Sequence, residues 1–274
     1  ILPMVSDPID EGVLSACSAL KVVANMGVGY DNIDVSAAAR RGIVVCNTPD
    51  VLTDTTADLT FALLLATARR LVEAAEFLKE GQWKSWSPFL LAGADVHHKT
   101  MGIVGMGNIG QAVAKRAKGF EMNVLYYNRS RRPEAEKKLG AVYRPFFDLL
   151  AESDFVVCLT PLTPETRHLF NREAFRQMKS SAIFINAARG AVVDEQALYE
   201  ALVHGEIAAA GLDVFEKEPV DPTHPLISLP NVVALPHIGS ATHETRRAMM
   251  TLARDNIIAV LEGRPPLTPV NRPS

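Results

Sequence analysis

The sequence predicts an α/β fold built on a doubly wound parallel sheet. Two observations lead to this prediction: short apolar runs recur along the 274 residues, and stretches of helical character separate them. Strands that alternate with helices indicate an α/β sheet. The runs are continuous rather than alternating, which is typical of parallel strands that helices cover on both faces. The predicted strands are Lys21–Met26, Gly42–Cys46, Met101–Val104, Val124–Tyr127, Phe155–Leu159, Ala182–Ile185, Gly211–Val214 and Val232–Leu235.

The composition is ordinary for a globular protein and argues against several classes of function. The net charge of −3 gives no electrostatic reason to expect a nucleic acid or an acidic membrane as partner. The longest apolar stretch, near Leu63–Ala68, is too short to cross a bilayer. Cys17, Cys46 and Cys158 lie in or beside apolar runs without metal-ligand spacing. We therefore expect no metal site, three reduced core cysteines and a cytoplasmic location.

One long helix is expected from about Thr55 to Lys79, with Thr53 or Asp54 as its cap. Its Leu59–Ala68 portion is apolar nearly all round, so one side should pack on its own domain and the other on a second surface. A homodimer partner is the candidate that we favour. Burial between two domains of one chain is the alternative.

A glycine-rich motif follows the third predicted strand and opens a helix expected over Ile109–Ala117. It reads Gly105-x-Gly107-x-x-Gly110 and includes Asn108 and Ile109. This strand–glycine–helix context is the one in which the motif binds the pyrophosphate of a dinucleotide, in a Rossmann-type fold. The free N–H groups at the start of the helix would face the phosphates. A glycine-rich turn without a ligand is the alternative.

The next strand ends in a basic turn, Asn128-Arg129-Ser130-Arg131-Arg132. In a Rossmann-type unit, an acidic residue at this position accepts a hydrogen bond from the ribose 2′-hydroxyl and selects NAD. Arginines instead suit the 2′-phosphate of NADP, which carries about −1.5 to −2 charges. We therefore predict NADP(H) as the preferred cofactor, with NAD(H) as the second choice. A solvated basic turn is the alternative reading.

Three further segments each place a reactive side chain just after an apolar run. Arg189 lies in NAARGAVVDE, Glu218 in GLDVFEKEP and His237 in LPHIGSAT. Ligands of open α/β sheets bind beyond the carboxyl ends of the strands, so we expect the three side chains in one crevice. Taken singly, they could equally be an ion-pair arginine, a solvated glutamate and a core histidine.

These residue types suit the reduction of a ketone by a nicotinamide cofactor. Transfer of hydride to the carbonyl carbon leaves negative charge on the oxygen, so a proton must arrive there. We expect His237 to act as the general acid, with Glu218 beside it favouring the imidazolium form. Arg189 would bind a carboxylate next to the ketone and polarise the carbonyl oxygen.

Taken in order, the motifs resemble those of the D-isomer-specific 2-hydroxyacid dehydrogenase family. They are MGVGYDNID, GIVGMGNIG, NAARGAVVDE, AAGLDVFEKEP and LPHIGSATHET, and the likeness extends over essentially the whole chain. Within the family the chain is most similar to glyoxylate/hydroxypyruvate reductases of the 2-ketogluconate (2-ketoaldonate) reductase type.

The resemblance implies roles for further residues. Arg189, Glu218 and His237 match the catalytic set of the family, and Val28 and Gly29 match the backbone groups that bind the substrate carboxylate, together with Arg189 and His237. Cofactor contacts are implied for Thr160, Pro161, Ala187, Asp213 and Gly239.

The resemblance also implies two domains. A dinucleotide-binding domain would span residues 48–240. A smaller, flavodoxin-like α/β substrate domain would combine residues 1–47 and 241–274, and would lack its first elements here. The family is dimeric, which agrees with the apolar helix.

We therefore expect NADPH-dependent reduction of short 2-keto acids, namely glyoxylate, hydroxypyruvate and, as a further candidate, 2-ketogluconate. The products would be D-2-hydroxy acids. The alternative is an NAD(P)-sensing binding protein like the corepressors that share this fold. The basic turn and the closer similarity to the reductases favour the enzyme.

Overall fold

Seven parallel strands form the sheet of the larger unit in this computed structural model, which describes residues 1–271. This unit spans Thr56–Gly239. Its strands are β3 Thr100–Val104, β4 Asn123–Tyr127, β5 Val142–Tyr143, β6 Phe155–Cys158, β7 Ile183–Asn186, β8 Ala209–Leu212 and β9 Val232–Ala234. They lie side by side in the order β5-β4-β3-β6-β7-β8-β9. The predicted doubly wound parallel sheet is confirmed.

The strand order reverses direction between β3 and β6. The chain proceeds from β3 to β4 and β5 on one side, and then from β6 to β9 on the other. Such a switch point opens a crevice at the carboxyl ends of the two central strands, which is where doubly wound sheets bind their ligands. In the register, Val104 lies beside both Tyr127 and Cys158, so the loops after β3, β4 and β6 begin at the same level.

Alternate residues of each central strand enter two different cores. Met101 and Ile103 of β3, like Phe155 and Val157 of β6, pack in one cluster. Val104, Val156 and Cys158 pack in the other. This division explains why the strands read as unbroken apolar runs, since neither face meets water.

The larger unit also contains helices. They are α3 Thr53–Ala68, which begins just before the unit boundary, α4 Leu71–Lys79, α5 Asn108–Lys118, α6 Pro133–Leu139, α7 Phe146–Glu152, α8 Arg172–Gln177 and α9 Glu195–Val203. Short 3₁₀ turns occupy Gly190–Val192 and Pro225–Ser228. Strand β5, of two residues, is not among the predicted strands because its sequence contains no apolar run.

The predicted single helix over residues 55–79 is wrong, because the chain breaks between α3 and α4. Arg70 has a left-handed backbone with φ of 53°. The amide of Ala94 donates to the carbonyl oxygen of Ala68 at 2.8 Å, and this bond replaces one that a continuing helix would make. The predicted caps are also wrong, since Thr53 and Asp54 are both helical residues.

The smaller unit joins Ile1–Thr55 to the segment that begins at Ser240. It contains α1 Glu11–Ala16, β1 Val22–Ala24, α2 Val35–Arg40, β2 Val44–Cys46 and α10 His243–Leu261. Strands β1 and β2 pair in parallel, with Val23 opposite Val45. The predicted boundaries are 47/48 and 240/241. Residues 272–274 of the predicted C-terminal range lie outside the described residues.

The cysteine prediction requires one correction. Cys46 and Cys158 are buried, but Cys17 is exposed just after α1. Burial raises the pKa of Cys46 to about 11 and that of Cys158 to about 12. Both buried thiols are therefore protonated at neutral pH and unreactive.

Candidate active site

The predicted phosphate loop lies at the switch point of the sheet. Gly105 has φ of 109°, a conformation that favours glycine. A side chain there would meet the backbone of Leu159 and Thr160 at 2.6 Å, so the loops after β3 and β6 touch. The amide of Gly105 also donates to the carbonyl oxygen of Tyr127 at 3.0 Å. The loop is thus fixed to both neighbouring strand ends.

Helix α5 starts with its amide groups open to a ligand. Gly107 is the N-cap and has no side chain with which to cap the helix. A Cβ atom at Gly107 would meet nothing within 4 Å, so a phosphate can approach the backbone. Asn108, Ile109 and Gly110 form the first turn of α5. This arrangement fits the pyrophosphate of a dinucleotide.

The basic turn follows β4 as predicted, but its three arginines are not equivalent. Arg131 Nη2 lies 2.8 Å from Glu136 Oε2 on α6, and its guanidinium lies 5.7 Å from the ring centre of Tyr143. The side chain of Arg131 is therefore engaged by Glu136 of α6. Arg129 and Arg132 are exposed. The side-chain amide of Asn128 donates to the carbonyl oxygen of Ser130 at 3.1 Å, which closes the turn.

The loops after β6 and β7 carry the other predicted cofactor contacts. Thr160 and Pro161 follow β6, where the hydroxyl of Thr166 donates to the carbonyl oxygen of Pro161 at 2.7 Å. Ala187 follows β7, and its amide donates to the carbonyl oxygen of Cys158 at 3.4 Å. The structure therefore places these residues at the same edge of the sheet as the glycine loop.

Asp213 is a buried carboxylate that binds the segment carrying His237. Its Oδ1 accepts from the amide of Ile238 at 2.8 Å, and its carbonyl oxygen accepts from the amide of His237 at 2.8 Å. Burial raises the pKa of Asp213, and the amides of Ile238 and Gly239 offset only part of that rise. A Cβ atom at Gly239 would lie 3.2 Å from Asp213 Oδ2, so Gly239 contacts this carboxylate closely.

His237 and Glu218 are in direct side-chain contact. His237 Nδ1 lies 2.6 Å from Glu218 Oε2, while Glu218 Oε1 accepts from the amide of Phe215 at 2.9 Å. Burial alone would raise the pKa of Glu218, but the hydrogen bonds from His237 and Phe215 bring it below its usual value. Glu218 is therefore ionised at neutral pH. An ionised Glu218 accepts from Nδ1–H and orients the ring.

Arg189 lies near this pair because the backbone around it is folded by Asn186 and Gly190. The buried Asn186 donates from its amide to the carbonyl oxygen of Arg189 at 3.0 Å and accepts from the amide of Ala188 at 3.1 Å. A Cβ atom at Gly190 would lie 1.8 Å from the backbone of Phe215, so only glycine fits. The charge of Arg189 contributes to lowering the pKa of Glu218.

Glu195, at the start of α9, is not among the predicted site residues. Its Oε1 accepts from the amide of Glu216 at 2.7 Å, and its Oε2 lies 3.2 Å from Nε2 of His224. The loop that carries Glu218 is therefore fastened to the helix that follows Arg189. Glu195 ends the segment NAARGAVVDE and is visible in the sequence. Its partners, Glu216 and His224, lie more than twenty residues further along the chain, so the sequence alone does not reveal this role.

Val28 and Gly29 lie in the smaller unit, in the loop after β1. The side-chain amide of Asn25 donates to the carbonyl oxygen of Gly29 at 2.7 Å, and that of Asn47 donates to the carbonyl oxygen of Val28 at 2.8 Å. Within residues 1–271, the backbone amides of Val28 and Gly29 have no hydrogen-bond acceptor. Two fixed amides of this kind suit an anionic ligand.

Comparison with known proteins identifies the larger unit. Residues 61–239 match the model of the D-isomer specific 2-hydroxyacid dehydrogenase NAD binding domain. The chain belongs to the D-isomer-specific 2-hydroxyacid dehydrogenase family. It is 56% identical over 276 residues to a glyoxylate reductase of Thermococcus kodakarensis, and the match covers 99% of this chain and 83% of that protein. The family resemblance predicted from the motifs is confirmed.

Solved structures of relatives share the fold. A protein of Thermus thermophilus superimposes with a TM-score of 0.93 at 52% identity, covering 98% of this chain and 85% of that one. An NADPH-dependent glyoxylate/hydroxypyruvate reductase from Sinorhizobium meliloti, solved with NADP and malonate, gives a TM-score of 0.87 at 41% identity over 98% and 83% of the two chains.

This member of the family is an NAD(P)-dependent 2-hydroxyacid dehydrogenase that acts on 2-keto acids. Within residues 1–271, no helix is both long and apolar enough to cross a membrane.

Proposed function

We propose that this enzyme reduces glyoxylate and hydroxypyruvate with NADPH to D-2-hydroxy acids, with 2-ketogluconate as a further substrate. The observation that carries the proposal is the 2.6 Å contact between His237 Nδ1 and the ionised Glu218, with Arg189 beside them. A proton donor and a guanidinium at the ligand-binding edge of the sheet are what a 2-keto acid requires. The names of the related glyoxylate reductases support the same substrate class.

Each residue of this set has a distinct task. When bound, the reduced nicotinamide supplies a hydride to the carbonyl carbon of the substrate. Glu218 accepts from Nδ1–H of His237, so Nε2 is the nitrogen that gives a proton to the carbonyl oxygen. Arg189 binds the substrate carboxylate and stabilises the charge that grows on that oxygen.

The remaining predicted contacts complete this proposal. The backbone amides of Val28 and Gly29 bind the substrate carboxylate. Gly105, Gly107, Asn108, Ile109 and Gly110 hold the pyrophosphate, and Thr160, Pro161, Ala187 and Gly239 line the cofactor. Asp213 lies near the carboxamide of the nicotinamide and helps to bind it.

The preference for NADPH rests on the basic turn. Arg129, Ser130 and Arg132 are exposed after β4, and Asn128 stands where an NAD-selective carboxylate would stand. Two charge-assisted bonds to a 2′-phosphate would favour NADP over NAD by roughly a hundredfold. The relative from Sinorhizobium meliloti is described as NADPH-dependent, which supports the assignment.

Steady-state kinetics test the proposal directly. Oxidation of NADPH and of NADH is followed with glyoxylate, hydroxypyruvate and 2-ketogluconate, with acetaldehyde as a control that lacks the carboxylate. We expect turnover of the keto acids but not of acetaldehyde, and a kcat/KM that is higher with NADPH. Equal values with the two cofactors would contradict the cofactor preference. Absence of turnover with all three acids would contradict the substrate assignment.

We also propose that the enzyme is a homodimer in the cytoplasm. Helix α4 has no buried residue, and Trp83, Trp86 and Phe89 in the segment after it are 56%, 78% and 85% exposed. Several large apolar side chains exposed in one short segment are typical of a protein interface. Buried free thiols at Cys46 and Cys158 suit a reducing compartment.

A further inference from the structure

The buried hydroxyl of Tyr126 joins the end of the basic turn to α6. Tyr126 lies on β4 and is 0% exposed. Its oxygen accepts from the amide of Arg132 at 2.7 Å and donates to Glu136 Oε1 at 2.6 Å. Glu136 lies on α6, so a single buried hydroxyl connects the strand, the last residue of the turn and the helix that follows.

Glu136 holds Arg131 at the same time. Arg131 Nε donates to Glu136 Oε1 at 3.1 Å and Nη2 donates to Oε2 at 2.8 Å, which is a bidentate ion pair. The ring of Tyr143 packs against Tyr126 at 5.5 Å and receives the guanidinium of Arg131 on its face. The Arg131 side chain is thereby directed towards α6.

The turn is therefore anchored at both ends before any ligand binds. Asn128 closes its first part through the carbonyl oxygen of Ser130, and Tyr126 holds the amide of Arg132 at its end. Between these anchors stand the exposed side chains of Arg129 and Ser130. Loops fixed in the binding conformation lose less conformational entropy on binding, so a phosphate gains more from the same contacts.

We propose that Tyr126 and Glu136 are positioning residues for cofactor selectivity: they fix the turn for a 2′-phosphate and keep Arg131 on α6. This inference rests on the proposed preference for NADPH. It adds that the preference depends on a buried hydroxyl that contacts no part of the cofactor. Selectivity for NADP over NAD is then set by Arg129, Ser130 and Arg132, while Arg131 stabilises the turn through its ion pair with Glu136.

The protonation states of the two groups agree with these roles. Burial raises the pKa of Tyr126, so its hydroxyl keeps its proton at neutral pH. The hydrogen bond from Arg131 lowers the pKa of Glu136, so that residue stays a carboxylate.

Binding of two nucleotide fragments to the intact enzyme tests the inference. Adenosine 2′,5′-bisphosphate carries the 2′-phosphate and 5′-AMP lacks it, so the ratio of their Kd values, measured by calorimetry, isolates the contribution of that phosphate. For Tyr126→Phe we expect affinity for the bisphosphate to fall about tenfold while affinity for 5′-AMP stays within about twofold. Tyr143→Phe is the matched control, because it removes a neighbouring hydroxyl that makes no hydrogen bond within residues 1–271, and it should leave both affinities unchanged.

Variants of Glu136 separate the hydroxyl anchor from the ion pair. Glu136→Gln keeps an oxygen for the hydroxyl of Tyr126, and the ion pair that it loses is partly exposed, so we expect a fall of at most about threefold. Glu136→Ala should lower the affinity for the bisphosphate by the same factor as Tyr126→Phe and leave that for 5′-AMP within about twofold.

The outcomes distinguish the two levels of the proposal. If the unsubstituted enzyme shows no preference for the bisphosphate, the proposed NADPH preference fails. The positioning role is overturned if the unsubstituted enzyme prefers the bisphosphate and Tyr126→Phe keeps the same preference. It is also overturned if Tyr126→Phe lowers the affinities for the two fragments equally.

Discussion

The hydrogen bond between His237 and Glu218 determines which imidazole nitrogen can exchange a proton. Because Glu218 is ionised and lies 2.6 Å from Nδ1, that nitrogen carries a hydrogen and Nε2 is left for the substrate. His237 has a left-handed backbone with φ of 52°, a conformation that most residues other than glycine avoid. The amide of His237 bonded to Asp213 and the ring bonded to Glu218 together hold it there.

Replacing His237 by alanine should lower kcat by roughly a hundredfold to ten-thousandfold, the range for loss of a general acid. Affinity for NADPH, measured by fluorescence, should remain, since the glycine loop is untouched. His97→Ala is the control, because His97 is exposed and lies outside the site. Turnover of His237→Ala close to that of the unsubstituted enzyme would remove His237 from the mechanism.

The Asp213→Asn variant should gain stability relative to the unsubstituted enzyme as the pH rises. Burial raises the pKa of Asp213 above its unfolded value of about 3.9, so between the two values the folded state binds more protons than the unfolded state. The stability of the unsubstituted enzyme therefore contains a part that is present at low pH and lost as the pH rises through the folded pKa.

Asparagine does not titrate, so the difference in the free energy of unfolding, variant minus unsubstituted enzyme, should increase with pH by about 1.4 kcal/mol per unit of pKa shift at most. Calorimetry over a series of pH values from about 4 upward follows this difference, because the folded pKa lies above the unfolded one. A difference that stays constant over this range would contradict the raised pKa.

At the scale of elements, the break between α3 and α4 shows why a helical pattern can be over-extended. The residues on both sides of Arg70 have good helix-forming character, and nothing local stops the helix. The bond from Ala94 to Ala68 and the close approach of Gly93 to the same carbonyl decide the break. Both partners lie more than twenty residues away along the chain.

Glu195 fastens the loop of Glu218 to α9, so its removal should damage catalysis without contact with the substrate. We expect Glu195→Ala to lower kcat/KM about tenfold, since the amide of Glu216 and the ring of His224 both lose their acceptor. Glu195→Gln retains an oxygen for the amide of Glu216 and should stay within about threefold of the unsubstituted enzyme. Equal losses in the two variants would mean that the charge, and not the hydrogen bond, matters.

At the scale of the whole molecule, the exposed aromatic segment after α4 predicts self-association. Replacing both Trp86 and Phe89 by glutamate should convert a dimer into a monomer in sedimentation velocity, because burying two carboxylates in an apolar interface is costly. Val203→Glu is the matched control, as Val203 is 52% exposed outside this segment. A monomeric unsubstituted enzyme, or a dimeric double variant, would contradict the assignment.

The sequence by itself determined the glycine loop, the side chains that follow the strand ends and, apart from the two-residue β5, the strands of the sheet. It could do so because strand runs, glycine spacing and strand-end positions are local properties of the chain. All eight predicted strands are present, although β8 begins two residues earlier than expected, at Ala209.

Only the tertiary structure decided which charged side chains pair with other groups of the protein. In the structure Arg131 pairs with Glu136, and Glu195 binds the loop that carries Glu218. Cys17 is exposed. The physical reason is that an ion pair or a buried hydrogen bond depends on which groups meet in space. The sequence pattern indicates most of the strands and helices, but only the packing of those elements determines which side chains remain for a ligand.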